Sequence, residues 1–292
     1  MIPDELAREL RYIEIGTTRR IRSLRSGAHL SRLGGDGVDF DEHRPYRPGD
    51  DVRHIDWNVT ARIGQAFVRR TYAERELDLV VAVDLSRSMR LASTGRSKRE
   101  ACIRAAASLL FSAVADHIRT GFVAFDDRVL RWAPPTASRR RAWATLSELC
   151  ALDAPAAVTS LAPAIDLLER SLRRPTLVVI LSDFIVQERL DSMTGLGRLA
   201  AHHDVVAVVL SDDTESRLPA GSGFVRMIDL ESGVDRRVRL SDNVRQQYAQ
   251  SIERRRDDLR RCCYRFGIEP VFVEAHDDPV PPLVGIFERR RS

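Results

Sequence analysis

Five short apolar segments, which alternate along the chain with helical patterns and charged loops, constrain the fold more than any other feature. Each segment is rich in β-branched residues and is bounded by charge or turn residues, which is typical of buried strands. Strands that alternate with helical segments predict a parallel sheet with crossover helices. The segments are LVVAV (79–83), GFVAF (121–125), TLVVIL (176–181), VVAVVL (205–210) and PVFVE (270–274).

Four helices are predicted between these strands. In the first, Ser97 and Glu100 have the spacing of a capping box and apolar residues follow on one face. Two more helices are expected near residues 162–172 and 190–201. The fourth is expected at 241–266, where Gly267 is placed to end it.

The basic character of the chain does not indicate nucleic-acid binding. The formal net charge is +4 and the pI about 9.1, but the arginine triplets are dispersed, mixed with acids and not interleaved with aromatic residues. Lys98 is the only lysine. We expect the arginines to form solvated faces.

Nothing in the sequence resembles a targeting or membrane segment. The apolar runs are far shorter than the roughly 20 residues that span a bilayer, and acids lie among the first residues. The four cysteines have no metal-ligand spacing, so free thiols are expected. These features predict a cytoplasmic protein without membrane insertion.

Residues 1–76 differ in character from residues 77–292 and are predicted to form an irregular N-terminal extension. The segment GDDVRHIDW (49–57) combines turn residues, charges and two apolar residues, Ile55 and Trp57. It either docks the extension on the main domain, with Trp57 buried, or forms a second recognition surface. We favour docking, with ion pairs formed among Asp50, Asp51, Arg47, Arg53 and Arg62.

Polar residues follow two of the predicted strands and begin a third loop. Asp84, Ser86 and Ser88 come after the first strand in DLSRS, and Asp183 follows TLVVIL. Thr159, or its neighbour Ser160, precedes a predicted helix. Ligands bind outside the carboxyl ends of parallel strands, and carboxylate and hydroxyl oxygens suit Mg²⁺. The pattern predicts a divalent cation site.

Simpler explanations exist for each residue alone. Ser88 could cap a helix, Thr159 or Ser160 could cap the helix that follows, and a single aspartate at a strand end is common. Several enzyme classes lack their motif here: there is no second aspartate two residues after Asp84, no G-x-x-x-x-G-K-S/T loop, no G-x-S-x-G elbow and no H-E-x-x-H zinc motif. Metal-dependent phosphoryl transfer or phosphodiester hydrolysis at Asp84 and Asp183 stays an alternative.

The DLSRS motif with Thr159 and Asp183 resembles the metal-ion-dependent adhesion site of von Willebrand factor A domains, over about residues 77–275. The segment from VDFDEHRPYRPGDDVRHIDW to DLSRSM, with Lys98, more narrowly resembles the bacterial family known as domain of unknown function 58. The first resemblance implies a Rossmann-like α/β fold and a site formed by Asp84, Ser86, Ser88, Thr159 and Asp183. The second implies a MoxR-type AAA+ ATPase as partner.

These resemblances lead to one expected function and two alternatives. We expect a non-catalytic adaptor that holds Mg²⁺, or another divalent cation such as Mn²⁺, and binds a client protein through an acidic side chain. The metal-dependent hydrolase is the first alternative. The second is a structural interaction domain with a vestigial metal site, which metal would not stabilise.

Overall fold

The computed structural model describes residues 39–48, 50–72, 78–92, 95–115, 117–152, 159–186, 194–228, 235–279 and 281–283. The chain divides into two compact units, one containing residues 24–76 and the other residues 77–289. The first four residues of the helix expected at 190–201 lie outside the described residues.

The smaller unit contains an antiparallel pair of strands, β1 (Asp39–Pro45) and β2 (Phe67–Tyr72). A short 3-10 turn (Val52–His54) and helix α1 (Trp57–Ile63) lie between them in sequence. The carboxylate of Asp56 caps α1 by accepting hydrogen bonds from the backbone N–H groups of Asn58 and Val59, at 3.0 and 3.1 Å.

The expected burial of Trp57 is wrong, because its side chain is 69% exposed. We expected Ile55 and Trp57, at alternate positions, to be apolar anchors, but α1 begins at Trp57. Val59 and Thr60 are the half-buried residues of this helix, and the Thr60 hydroxyl accepts a hydrogen bond from the backbone of Phe67. Ion pairing is partly as expected, since Arg53 lies 2.7 Å from Asp51, although this pair is exposed.

The larger unit is built on a six-stranded sheet in the order β10-β7-β6-β3-β4-β5. All neighbouring strands are parallel except the antiparallel pair β4 and β5. The predicted mixed α/β fold with a mostly parallel sheet is therefore confirmed. The strands are β3 (Asp78–Asp84), β4 (Arg119–Phe125), β5 (Val129–Thr136), β6 (Thr176–Ser182), β7 (Asp204–Ser211) and β10 (Glu269–Glu274).

Three strands of this unit were not predicted from the sequence. Strand β5 is only partly buried and contains Pro134 and Pro135, which the edge of a sheet tolerates because one side of the strand needs no ladder partner. Strands β8 (Gly223–Ile228) and β9 (Asp235–Leu240) form a separate antiparallel pair. The sequence of β9 is polar and arginine-rich, so it lacks the apolar pattern of a buried strand.

Helices cover both faces of the central sheet. Helices α2 (Lys98–Ala115) and α3 (Arg139–Ala151) pack against one face, with Leu79, Val81 and Val83 of β3. Helices α4 (Ala162–Ser171), α5 (Thr194–His202) and α7 (Asp242–Arg265) contribute to the other, with Val80 and Ala82. The single turn α6 (Asp213–Ser216) follows β7. Burial on both faces explains why β3 is continuously apolar.

The predicted start of α2 is confirmed, because Ser97 and Glu100 exchange hydrogen bonds between side chain and backbone N–H, at 2.8 and 3.2 Å. None of the helices within the described ranges combines the length and the apolar character that crossing a membrane requires.

Gly121 should be essential for packing β4 against β5. A Cβ atom at this position would lie 2.7 Å from the Ala133 carbonyl oxygen and 2.8 Å from the Pro135 nitrogen, both backbone atoms that cannot move independently. We expect Gly121→Ala to lower the free energy of unfolding by about 1 to 3 kcal/mol in urea denaturation. Gly195→Ala is the control, because its new Cβ would meet only side-chain atoms, Ile165 Cγ2 at 3.2 Å and Arg198 Nη2 at 3.5 Å. Equal stability of the two variants would contradict the prediction.

Candidate cation site

The predicted site residues gather at the point where the order of the sheet reverses. From β3 the chain continues to β4 on one side, whereas from β6 it continues to β7 on the other. The carboxyl ends of β3 and β6 therefore border a crevice, which is where open α/β sheets bind ligands. Asp84 ends β3 and Asp183 directly follows β6.

Asp84 is fully buried and hydrogen-bonded through both carboxylate oxygens. Its Oδ1 accepts a hydrogen bond from the Ser86 backbone N–H (2.8 Å), and its Oδ2 accepts one from the Ser182 hydroxyl (2.6 Å). Ser182 is brought there by strand register, since Val83 of β3 lies opposite Leu181 of β6. The carboxylate is held between adjacent strands before any ligand binds.

Ser86 and Ser88 are also buried, and their hydroxyl oxygens lie 3.2 Å apart. Ser88 belongs to a 3-10 turn (Arg87–Arg90) whose N-cap is Ser86, and the Ser86 side chain makes no capping hydrogen bond. The explanation of Ser88 as a helix cap is therefore wrong. Both hydroxyls point into the same buried region beside Asp84.

Thr159 has a fully buried hydroxyl oxygen, Oγ1, with no hydrogen-bond partner among the described residues. It does not cap the next helix, because the N-cap of α4 is Leu161. The loop is tied to the end of β4, since the backbone N–H of Ser160 donates to the carbonyl of Asp126 (3.0 Å). A buried hydroxyl without a partner is costly, and such an atom indicates a missing ligand.

Asp183 is held by one backbone donor and one cation. Its Oδ1 accepts a hydrogen bond from the Ile185 N–H (2.9 Å), and the Lys98 ammonium donates to its Oδ2 (2.7 Å). Phe184, the next residue, has a φ of 52°, which is uncommon for a bulky side chain. This left-handed residue turns the chain sharply after β6, and its N–H donates to the Ser182 hydroxyl (2.9 Å).

Lys98, at the start of α2, joins the site to the loop after β7. Its side chain is completely buried, and its ammonium group lies 2.6 Å from Glu215 Oε1 and 2.8 Å from Oε2. Glu215 lies on α6, and the Tyr248 hydroxyl of α7 donates to its backbone carbonyl (2.8 Å). One ammonium group thus bridges two carboxylates from different strand ends.

Burial and charge shift three pKa values in this region. Burial, together with the nearby Asp183 carboxylate, raises the pKa of Asp84 to about 7. Burial opposes the charge of Lys98, but Asp183 and Glu215 outweigh it and raise the pKa of the ammonium group. Burial raises the pKa of Glu215 despite the adjacent Lys98. Asp84 is the carboxylate with most to gain from a further cation.

The donor set suits a hard divalent cation better than a softer metal. Within the described part of the chain, no group of three or more His, Cys, Asp and Glu side chains could hold a metal ion. The oxygens available are instead those of two aspartates and three hydroxyls: Asp84, Ser86, Ser88, Thr159 and Asp183. Mg²⁺ accepts such ligands and retains several waters. The unpartnered Thr159 Oγ1 and the elevated pKa of Asp84 both fit a cation there.

Sequence reasoning missed several residues of the site. Buried aspartates follow β4 and β7 as well, at Asp126 and Asp212, so four of the five parallel strands, β3, β4, β6 and β7, end in or are followed by one. The role of Lys98 was also missed. A signal for it was visible, because it is the only lysine in a chain with 46 lysines and arginines.

Similarity to known proteins identifies the family to which this chain belongs. The family model described as protein of unknown function DUF58 matches residues 42–258. Uncharacterized proteins of Mycobacterium bovis and Mycobacterium tuberculosis are 32% identical over 289 residues, which is 98% of this chain and 90% of theirs. The chain therefore belongs to the DUF58 family.

Solved structures show weaker similarity. The conserved hypothetical protein BatB from Bacteroides thetaiotaomicron is 17% identical, with a TM-score of 0.47 over 73% of this chain and 98% of that one. An aerotolerance-related membrane protein from Bacteroides fragilis is 16% identical, with a TM-score of 0.46 over 73% of this chain and 99% of that one.

Protonation of Asp84 should govern both stability and cation binding. Its folded-state pKa is raised above the ordinary value of 3.8, so the folded protein holds this proton more tightly than the unfolded chain. Without a divalent cation, the free energy of unfolding should fall as pH rises from about 4 to about 7 and then level off. Mg²⁺ affinity should change in the opposite direction, by about tenfold per pH unit below pH 7.

Denaturation and calorimetric titration across this pH range measure the two trends. The Asp84→Asn variant is nearly isosteric, cannot ionise and should lose both the stability slope and Mg²⁺ binding. If Asp84→Asn retains the full pH dependence of the free energy of unfolding, that dependence comes from another titratable group.

Substitution can decide whether Thr159 or Ser160 supplies the third hydroxyl. Thr159→Val removes an unpartnered hydroxyl at nearly constant volume, so the cation-free protein should be equally stable or more stable by about 1 kcal/mol. Its Mg²⁺ affinity should nevertheless fall. Ser160→Ala is the matched control and should bind Mg²⁺ like the unsubstituted protein in calorimetric titration. The reverse result would assign the ligand to Ser160.

Proposed function

We propose that this protein is a non-catalytic adaptor that binds proteins through a divalent cation, Mg²⁺ or a similar ion such as Mn²⁺. The strand-end cluster of Asp84, Ser86, Ser88, Thr159 and Asp183 holds the ion, and an acidic side chain of the partner contributes a further ligand. The observation that carries the proposal is the buried Thr159 hydroxyl, which has no partner among the described residues and lies on a loop hydrogen-bonded to the end of β4, the strand next to β3.

The resemblance to the adhesion site of von Willebrand factor A domains supports this assignment. In such a site, neutral hydroxyls leave much of the ionic charge uncompensated, so the ion attracts an acidic group from another protein. The DLSRS motif fits because Asp84 is the buried anion and the two serine hydroxyls lie beside it. The hydrogen bonds that the Asp84 carboxylate accepts come from neutral donors, Ser86 and Ser182, so its negative charge is available to a cation or to water bound to the ion.

Burial sets a requirement on partner binding. Asp84, Ser86 and Thr159 have no exposed surface, and Ser88 has very little. An acidic side chain from another protein therefore reaches the ion only if the surrounding loops rearrange. Phe184 is a suitable place for this change, because its left-handed backbone directly follows Asp183 and a return to ordinary φ values would release strain.

The proposed partner is a MoxR-type AAA+ ATPase, and the proposed process is the assembly or maturation of client proteins. This part of the proposal rests on the resemblance to the DUF58 family and its expected ATPase neighbours. The protein itself needs no ATP-binding motif in this scheme, because the ATPase supplies the hydrolysis. We place the adaptor in the cytoplasm, without membrane insertion and without a nucleic-acid ligand.

A binding assay with the purified MoxR-type ATPase of the same organism tests the proposal. The complex should form with Mg²⁺ and dissociate with chelator, and both Asp84→Ala and Asp183→Ala should weaken it because each removes a carboxylate of the cluster. Asp127→Ala is the matched control, since Asp127 is exposed on the loop after β4.

The result also separates the alternatives. A complex unaffected by chelator would show that the interface does not use the ion. Absence of Mg²⁺-dependent thermal stabilisation would identify a vestigial site. Hydrolysis of a phosphodiester that requires both Mg²⁺ and Asp84 would show that the protein is a hydrolase and not an adaptor.

A further inference from the structure

Lys98 differs in residue type from the arginines that supply almost all the positive charge of the chain. Among 46 lysines and arginines it is the only lysine, so every other basic position in the sequence carries arginine. The side chain of Lys98 is also fully buried, which is rare for a charged group. A chain that uses arginine everywhere else has a lysine at the one position enclosed by two carboxylates.

The geometry explains why arginine would not serve. The ammonium group is compact and donates three hydrogen bonds, and three carboxylate oxygens surround it: Asp183 Oδ2 at 2.7 Å and the two oxygens of Glu215 at 2.6 and 2.8 Å. A planar guanidinium is larger and presents its donors in a fixed fork. The enclosure therefore matches a small point charge.

Lys98 also reduces the negative charge that is available to attract a divalent cation to this site. Asp183 has one oxygen bonded to the Ile185 N–H and the other to Lys98, so its negative charge is already matched by a cation. Asp84 has only neutral donors, Ser86 and Ser182. Of Asp84 and Asp183, only Asp84 lacks a cation of its own within the described contacts.

We propose that Lys98 is the built-in counter-ion of the cation site: it fixes Asp183 and Glu215 in place, lowers the affinity for a free divalent cation, and keeps the site folded when the cation leaves. The inference rests on the proposed function, because it concerns the same site. Its consequence is that the ion is held tightly only when a partner contributes an additional negative charge. Lys98 is a positioning residue, and it need not touch the ion.

Calorimetric titration with Mg²⁺ alone tests this role. Lys98→Met keeps the length of the side chain and removes its charge, so the freed Asp183 should attract the ion and affinity should rise about tenfold or more. Arg131→Met is the control, because it also removes one cation from an ion pair, the exposed pair of Arg131 with Glu148, and should leave Mg²⁺ affinity unchanged. Unchanged or weaker Mg²⁺ binding by Lys98→Met would overturn the proposal.

Thermal denaturation of the same variants provides a second readout. In chelator, Lys98→Met should melt at a lower temperature than the unsubstituted protein, because the buried Asp183 and the half-buried Glu215 lose their partner. Saturating Mg²⁺ should raise its melting temperature more than that of the unsubstituted protein. If Lys98→Met does not fold, the double variant Lys98→Met with Glu215→Gln removes one of the unpaired charges and takes its place in both measurements.

A third readout needs no substitution at Lys98. Because the chain has one lysine, labelling lysine with ¹³C at Cε gives a single side-chain NMR signal from the full-length protein. Addition of Mg²⁺ should shift this signal, and the Asp84→Asn variant should show no shift. An unmoved signal in a sample that binds Mg²⁺ by calorimetry would overturn the proposal.

Failure of the inference and failure of the proposed function are distinguishable. Equal complex formation with the ATPase in Mg²⁺ and in chelator, by an unsubstituted protein that does not bind Mg²⁺ alone, would overturn the proposed function. If Lys98→Met then bound Mg²⁺, the counter-ion role would still be supported, whereas absence of binding by both proteins would overturn the two together. Binding by the unsubstituted protein that Lys98→Met does not strengthen would overturn the counter-ion role alone.

Discussion

The parallel pairing of β3 with β6 is the constraint on which the rest of the larger unit depends. The two strands are adjacent in the sheet but separated in sequence by α2, β4, β5, α3 and α4. Their register runs from Asp78 opposite Thr176 to Val83 opposite Leu181. This register brings Ser182 to Asp84 and closes the pair with a 2.6 Å hydrogen bond. A shift of one residue would turn alternate side chains to the wrong face, so the apolar packing on both faces also fixes the site.

Ion pairs at the strand ends hold the loops after β6 and β7 against the start of α2. Lys98 from α2 bridges Asp183 after β6 and Glu215 after β7, so three separate parts of the chain meet at one ammonium group. A buried pair of this kind contributes little net stability by itself, but losing one partner is expensive because the other charge stays buried. Its value is therefore positional. The hydrogen bond from Arg255 of α7 to the Phe184 carbonyl links the same region to the longest helix.

Much of the fold and of the candidate site could be predicted because both depend on local pattern. All five predicted strands exist, and the capping box of α2 and the N-cap at Ser241 of α7 lie where their sequences placed them. Strand β5 was missed because prolines and partial burial hide an edge strand, and β9 because its residues are mostly polar. Trp57 was misplaced because a period of two was assumed where the chain is helical.

The sequence by itself determined the alternation of strands and helices, the aspartate at the end of β3 and the hydroxyls after it, since these follow from side-chain type and spacing along a short stretch of chain. Only the tertiary structure decided that Ser182 holds Asp84, that the Thr159 hydroxyl has no partner within the described residues, and that Lys98 is enclosed by Asp183 and Glu215. The reason is physical. Burial and charge pairing arise between residues 85 to 117 positions apart in the chain, and sheet register brings them together.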